Sequence, residues 1–537
     1  MKNLLPRITF AILLLLIVAH STPVTARGIV HFSSNFEGGA LGEVNHIKSR
    51  YDGETHYHHF DIKTRFDPKN PVDTKLYPSN RWFYFLMHGV KDSEVSLNID
   101  YNDSRRAMYS YDNKEFIRFT EDESPVMNKT ITKRFENDSV YVAYFVPYGI
   151  QRYNTSLERW CESPNVKHFT IGESELGQPL DMIVITDKPH EGVIPDGNGV
   201  LRPKGDDLAK QTIYIHGRIH PSETPSAWHL EAIVNQLTDG SKASNELLKK
   251  CIFYILPCLN PDGVAIGYSR SNANGINMEV NYNEKPEKSA VEILSVKQFL
   301  ESINSAGMKL DVFLNMHSQS ATKTCYWVHR AKSTSKEHNR RLMHFAALTI
   351  DNNPYFEWKD ICYSNLQPKY LEGWIWEKFE GHTIAQTFET PYTYYSSNPN
   401  GEWVDIYNLD TQGANTINAI TDALDIGTSY RFMASEPKST KGFARRKNLN
   451  HLYFGSSFQM ARKKGAEINY KITLPNGTYS IYRWSVGENA EKISKNTNSW
   501  VFHDTIENHE DGAKECNITL NAANRGERFD NLLLIRH

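Results

Sequence analysis

The stretch that decides the fold is "QTIYIHGRIHPSETP", residues 211–225. It opens with an apolar run of the kind that forms a buried strand, and His216, His220 and Glu223 follow directly. Histidine and glutamate are common zinc ligands. Because His220 and Glu223 lie three residues apart in a turn after a strand, their side chains can face one ion. The stretch therefore predicts a strand that leads into part of a metal site.

A second apolar run, "LDVFLNMHSQS" at residues 310–320, leads to His317. In α/β sheets, ligands bind at the edge formed by the carboxyl ends of the strands. A catalytic zinc site takes three protein ligands and keeps one position open. His220, Glu223 and His317 can therefore converge on one Zn²⁺ per chain, and further motifs are needed to decide whether they do. Either histidine alone is more commonly an ordinary buried polar residue, so the prediction depends on both strand ends.

The 537 residues divide into three regions, within the two to four domains that this length suggests. Residues 27–165 contain short alternating runs and predict an N-terminal antiparallel β-sandwich domain. Residues 166–430 alternate strand-like and helix-like patterns, which predicts an α/β catalytic domain with a mixed sheet between helices. Residues 431–537 predict a C-terminal β-sandwich domain. Within it, "MASEPKSTKGFARR" (433–446) suggests a linker, and "PNG" (475–477) suggests a hairpin turn.

The first residues are typical of a signal peptide. Lys2 and Arg7 precede an apolar run of about 12 residues, and small residues lead to Ala26. Because a spanning helix needs roughly 20 apolar residues, we expect the first 26 residues to be cleaved and no stable membrane span to remain. The mature protein is then expected to be periplasmic or secreted.

The formal net charge of −3 gives no reason to expect nucleic acid as a partner. Six cysteines permit disulfides without selecting a pairing, and the oligomeric state stays open.

Further motifs extend the "HPSE" stretch. In chain order they are an Asn-Pro-Asp-Gly turn at 260–263, Arg270 in "GYSRSNANG", His317, and Glu389 in "AQTFETPY". This order resembles that of the zinc metallocarboxypeptidase superfamily. Three N-terminal stretches resemble the β domain that precedes the catalytic domain in its cytosolic-carboxypeptidase-like branch: "FSSNFEGGALGEV" (32–44), "RWFYF" (81–85) and "AYFVPYG" (143–149). The resemblance covers roughly residues 30–430.

The resemblance implies a role for each matched residue. His220, Glu223 and His317 would bind zinc, and zinc would activate a water that attacks the scissile carbonyl. Glu389 would act as general base and then general acid. Arg270 would stabilise the oxyanion. The implied function is an exported zinc hydrolase of metallocarboxypeptidase type that cleaves a peptide or peptide-like amide bond.

The sequence departs from the family pattern after Arg270. Where the family has Asp and then Asn-Arg, this chain has Asn277 and then Glu279-Val280. The family's arginine clamps the C-terminal carboxylate of the substrate by charge-assisted hydrogen bonds, and Val280 cannot do so. Asn277 is expected to stand behind a zinc histidine and to weaken metal binding.

Glu279 is expected to bind substrate, with a preference for a cationic or hydroxyl-rich group. The tyrosine that the family places over the substrate corresponds to either Tyr363 or Tyr370.

The missing clamp opens a second interpretation, a zinc esterase or deacylase that acts on an acylated glycan or glycoconjugate. A third is a binding protein without activity, although such a protein has little reason to keep the ligand set and Glu389 together. The expected partner is thus a peptide, glycopeptide or acylated glycan substrate.

Overall fold

The computed structural model describes residues 29–536 except 102, 104–105, 127–128, 352, 380, 399, 427–430, 435–436, 448–456, 475, 486–498 and 510–513. The predicted signal peptide, residues 1–26, lies outside the described residues. Within the described part of the chain, every helix is too short or too polar to cross a bilayer.

Residues 31–143 form two sheets of short strands. Their order is β1-β4-β9-β6-β7 and β2-β3-β5-β8. Pairing is antiparallel as predicted, except that β3 and β5 run parallel. The exception arises because the chain passes through β4, in the other sheet, before it returns as β5. The strands are β1 His31–Ser33, β2 Val44–Tyr51, β3 His56–Ile62, β4 Tyr84–His88, β5 Ser93–Ile99, β6 Met108–Ser110, β7 Ile117–Arg118, β8 Thr130–Arg134 and β9 Ser139–Ala143.

The next region is built on one eight-stranded mixed sheet, in the order β10-β11-β13-β12-β14-β17-β15-β16. The predicted α/β fold with a mixed sheet is confirmed. Its four central strands, β13, β12, β14 and β17, run parallel. The strands are β10 Val166–Glu173, β11 Pro179–Ile185, β12 Gln211–Gly217, β13 Cys251–Leu256, β14 Leu310–Gln319, β15 Cys325–His329, β16 Cys362–Ser364 and β17 Ile384–Pro391. A disulfide joins Cys325 and Cys362.

Helices cover both faces of this sheet, and its central strands accordingly carry apolar residues on both faces. In β12, for example, Ile213 and Ile215 enter one apolar cluster and Tyr214 enters the other. Helices α1, α3, α7 and α9 contribute to the first cluster, and α6 and α8 to the second. The helices are α1 Ile150–Cys161, α2 Gly205–Leu208, α3 Thr224–Leu237, α4 Lys242–Leu248, α5 Pro261–Ile266, α6 Val291–Ser305, α7 Lys336–Ile350, α8 Leu371–Lys378 and α9 Ile406–Ala423.

The C-terminal region contains three small antiparallel sheets, β18-β27-β23-β24, β19-β22-β25 and β20-β21-β26. The strands are β18 Arg431–Ala434, β19 Ser439–Lys441, β20 Phe443–Lys447, β21 Ser457–Ala461, β22 Glu467–Leu474, β23 Gly477–Ser485, β24 Ser499–Asn508, β25 Lys514–Asn521, β26 Arg528–Phe529 and β27 Leu532–Arg536.

Two sequence predictions in this region are wrong. The suggested linker, 433–446, contains β19, most of β20 and the end of β18. The suggested hairpin does not form, because β22 pairs with β19 and β25 whereas β23 pairs with β24 and β27. The chain changes sheets at this point. The change lets Ile472 of β22 and Ile481 of β23 enter the same apolar cluster.

Candidate metal centre and active site

The turn after β12 brings His220 and Glu223 together. It begins at Arg218, whose backbone has a left-handed φ of 57°. The Arg218 guanidinium fixes the turn by donating to the carbonyls of Pro221 and Tyr148. The Glu223 amide donates to the carbonyl of His220 at 3.3 Å, just before α3 begins.

The Asn-Pro-Asp-Gly turn supports this arrangement from the side. The Asn260 amide donates to the carbonyls of Ile219 and Ser271, both at 3.1 Å. Its oxygen accepts from the backbone of Gly263 at 3.0 Å. A Cβ at Gly263 would lie 2.5 Å from the Pro221 ring. The motif thus joins the His220 turn to the segment that contains Arg270.

His220, Glu223 and His317 converge, and their potential ligand atoms all lie within 4.8 Å of one another. Each oxygen of the Glu223 carboxylate faces one histidine. Oε1 lies 2.9 Å from Nδ1 of His220, and Oε2 lies 2.8 Å from Nδ1 of His317. All three residues are buried. Two imidazoles and a carboxylate are the donor set that zinc takes in many hydrolases.

The electrostatics of this cluster favour a positive charge. Burial alone lowers the pKa of His317, but the nearby Glu279 and Glu223 carboxylates outweigh it and hold this pKa well above its usual value. Burial raises the pKa of Glu223, but His220 and His317 hold it well below its usual value. The Glu223 and Glu279 carboxylates thus stabilise a positive charge on His317.

The outer nitrogen of each histidine also has a partner. Nε2 of His220 lies 3.2 Å from the amide oxygen of Asn277, which places Asn277 behind a proposed ligand as expected. Nε2 of His317 lies 3.1 Å from Oε2 of Glu279. Glu279 was expected to contact substrate, but it is only 6% exposed and its carboxylate faces His317 and Asn315.

Glu389 lies on β17, next to the strand that contains His317. The two residues are direct partners in the parallel pairing of β14 and β17. Nε1 of Trp327 donates to Oε1 of Glu389 at 2.9 Å and fixes the carboxylate. Burial raises the pKa of Glu389, and the positive charges of His317 and Arg270 oppose that shift. Glu389 is therefore a partly buried carboxylate beside the cluster.

The backbone around Arg270 is fixed from the N-terminal region. The Asp67 carboxylate accepts hydrogen bonds from the amides of Ser269, Arg270 and Ser271, at 2.7, 2.7 and 3.0 Å. Burial lowers the pKa of His220, and the positive charge of Arg270 lowers it further. Arg270 thus acts electrostatically on the cluster and on Glu389.

The two tyrosines predicted to cover the substrate lie near each other along the chain. Tyr363 is on β16 and 40% exposed, and Tyr370 immediately precedes α8. Neither position distinguishes one tyrosine from the other as the residue that covers the substrate. His216, the first histidine of the opening stretch, is fully buried and its Nε2 donates to Asn315 at 2.8 Å.

Sequence reasoning missed Trp327, Asp67 and Asn315. Each acts through a contact between distant parts of the chain, so no local pattern marks it. Asp67 lies more than 200 residues before Arg270. Asn315 lies in the middle of β14, two residues before His317, and its partners Glu279 and His216 are 36 and 99 residues away along the chain.

The chain is similar to known proteins of one kind. Residues 153–482 match the family model described as zinc carboxypeptidase. An uncharacterized protein of Zymomonas mobilis is 27% identical over 251 residues, which are 45% of this chain and 59% of that protein. Cytosolic carboxypeptidase 6 of Mus musculus is 25% identical over 319 residues, 55% of this chain and 54% of that protein. The alignments thus span between half and three-fifths of these curated relatives.

The fold has a solved counterpart. The structure of a metallo-carboxypeptidase from Burkholderia cenocepacia superposes with a TM-score of 0.59 at 21% identity, covering 74% of this chain and 99% of that one. The similarity to cytosolic carboxypeptidase 6 confirms the resemblance to the cytosolic-carboxypeptidase-like branch that the sequence motifs indicated. Since the family model matches more than half of its residues, the chain belongs to the zinc carboxypeptidase family.

Proposed function

We propose that the protein is a zinc-dependent hydrolase that cleaves a peptide or peptide-like amide bond. The observation that supports this most is the convergence of His220, Glu223 and His317 beside Glu389. His220 and His317 would offer Nδ1 and Glu223 its carboxylate to one Zn²⁺. Zinc held there would polarise a carbonyl and make water acidic enough to act as a nucleophile near neutral pH.

In this proposal Glu389 moves the proton. Trp327 occupies Oε1 of Glu389, which leaves Oε2 to accept a proton from the attacking water. The same carboxyl group then donates that proton to the leaving nitrogen, as general acid–base catalysis requires. Arg270, with its backbone fixed by Asp67, would direct its guanidinium to the developing oxyanion.

The substrate need not present a free C-terminal carboxylate. Val280 has no group that binds a carboxylate, and Glu279, whose side chain is buried against His317, would repel one. We therefore propose that hydrolysis tolerates substrates in which this carboxylate is blocked or internal. Neither Tyr363 nor Tyr370 is preferred as the group that covers the substrate.

A matched substrate pair tests this function. Zinc-loaded protein is incubated with a peptide library in free-acid and C-terminally amidated forms, and with acetylated polysaccharides as the competing ester substrates. Release of new amino groups, with amidated peptides cleaved at least one-tenth as fast as free acids, supports the proposal. Release of acetate alone would assign the protein as an esterase, and strict dependence on the free acid would contradict the proposed substrate tolerance.

We also propose that the protein is exported and works with one zinc per chain. The export proposal rests on Lys2, Arg7 and the apolar run before Ala26. N-terminal sequencing of mature protein from its source tests it, with a start near residue 27 expected and an intact Met1 contradicting it. The three-region division at residues 165–166 and 430–431 is the matching proposal for domains, which limited proteolysis tests.

A further inference from the structure

Asn277 and Glu279 contact the Nε2 atoms of the two candidate ligand histidines. Asn277 and Glu279 belong to one short turn, because Glu279 lies in the 3-10 helix Met278–Val280 that Asn277 precedes. Asn277 faces Nε2 of His220, and Glu279 faces Nε2 of His317. One acceptor is therefore a neutral amide and the other a carboxylate.

These contacts select the tautomer of each ring. A neutral histidine that offers the Nδ1 lone pair to a metal must carry its proton on Nε2. That N–H then needs an acceptor, which here is Asn277 for His220 and Glu279 for His317. A carboxylate acceptor also makes the ring a stronger ligand, because its negative charge polarises the N–H bond.

The position of Glu279 is fixed from several sides. The Asn315 amide donates to both Glu279 oxygens at 3.3 Å, and its own oxygen accepts from His216. The Asn277 side chain accepts from the backbone amide of Glu279 at 3.2 Å. Since Asn315 and His317 lie two residues apart on β14, the strand that supplies the ligand also orients its partner.

We infer that Glu279 is a positioning residue for the metal site, with His317 as its target, and not a substrate-binding group. The inference rests on the proposed zinc function and deepens it. In this role Glu279 cannot also bind a substrate carboxylate, because its side chain is buried. Replacing Glu279 by Gln is expected to lower zinc affinity about 10–100-fold.

Zinc affinity measured by competition with a chromophoric chelator tests the inference without using activity. The variants are Glu279→Gln, Asn277→Asp and the double variant. Glu372→Gln is the matched control, because Glu372 also neighbours Asn315, at 3.5 Å, in the same buried network but has no hydrogen bond with His317. Circular dichroism of each metal-free variant checks that the fold is kept.

We expect zinc affinity to fall in Glu279→Gln and to stay within threefold of wild type in Glu372→Gln. In the double variant, where the carboxylate of Asp at position 277 faces His220, we expect zinc affinity to recover at least partly. At saturating zinc, KM of Glu279→Gln should stay within about twofold. Wild-type affinity in Glu279→Gln, or an equal loss in Glu372→Gln, overturns the inference, and a raised KM with normal affinity assigns Glu279 to the substrate. Failure of the wild-type protein to bind zinc would instead defeat the proposed function itself.

Discussion

Replacement of Glu389 by Gln tests the chemistry most sharply, because the change keeps the shape of the side chain and removes its basicity. The amide oxygen of the new side chain would still accept the hydrogen bond from Trp327, so the strand and its neighbours should not move. The lost function is proton transfer, which is typically worth 10²–10⁴-fold in rate. We expect kcat/KM to fall by that amount, or about 3–5 kcal/mol of transition-state stabilisation.

The hydrogen bond from Trp327 provides an internal control. Trp327→Phe keeps the Glu389 carboxylate but removes its 2.9 Å contact. A hydrogen bond to a charged group contributes about 1.5–3 kcal/mol, so the expected loss is about 10–100-fold, smaller than that of Glu389→Gln. Since Trp327 acts through Glu389, the double variant should be little worse than Glu389→Gln alone.

Steady-state kinetics of the three variants on one cleavable peptide, with zinc content and unfolding temperature measured alongside, supply the data. A Glu389→Gln variant that retains a tenth or more of wild-type kcat/KM, with its zinc bound, refutes the role of Glu389 as base. Fully additive losses in the double variant refute the claim that Trp327 works by orienting Glu389.

Three further outcomes follow from the structure. The Asp67 carboxylate accepts hydrogen bonds from three backbone amides around Arg270. In steady-state kinetics, Asp67→Asn should therefore lower kcat about tenfold and leave KM nearly unchanged. A rise in KM alone would contradict this prediction. Removal of zinc by a chelator should abolish turnover and lower the unfolding temperature, both restored by zinc, and turnover that survives complete metal removal would contradict it. Burial raises the pKa of Glu292 to about 7, so ionising it in the folded protein destabilises the fold as pH rises from about 4.5 through 7. Glu292→Gln should therefore gain up to about 3 kcal/mol relative to wild type between pH 5 and 8 in denaturant unfolding, and an equal difference at both pH values would contradict it.

The convergence of His220, Glu223 and His317 could be predicted because each follows a local sequence signal. Apolar runs marked β12 and β14, and the polar residues after them marked His220, Glu223 and His317, because parallel strands present their carboxyl ends at one edge. The order of motifs then indicated the family, which the family model confirms.

The remaining features depend on contacts that sequence spacing does not encode. Glu279 was expected to meet substrate, since nothing local shows that its carboxylate meets His317, 38 residues away. Asp67 reaches the Arg270 segment from another region of the chain. The suggested hairpin at 475–477 failed because strand partners are chosen by packing in a shared core and not by the turn residues alone.

The most direct test of the metal centre is anomalous diffraction at the zinc edge from crystals of zinc-loaded protein. We expect one strong peak per chain at about 2.0–2.2 Å from Nδ1 of His220, Nδ1 of His317 and a Glu223 oxygen. A peak that lies away from these three residues, or no peak in protein that hydrolyses its substrate, would contradict it.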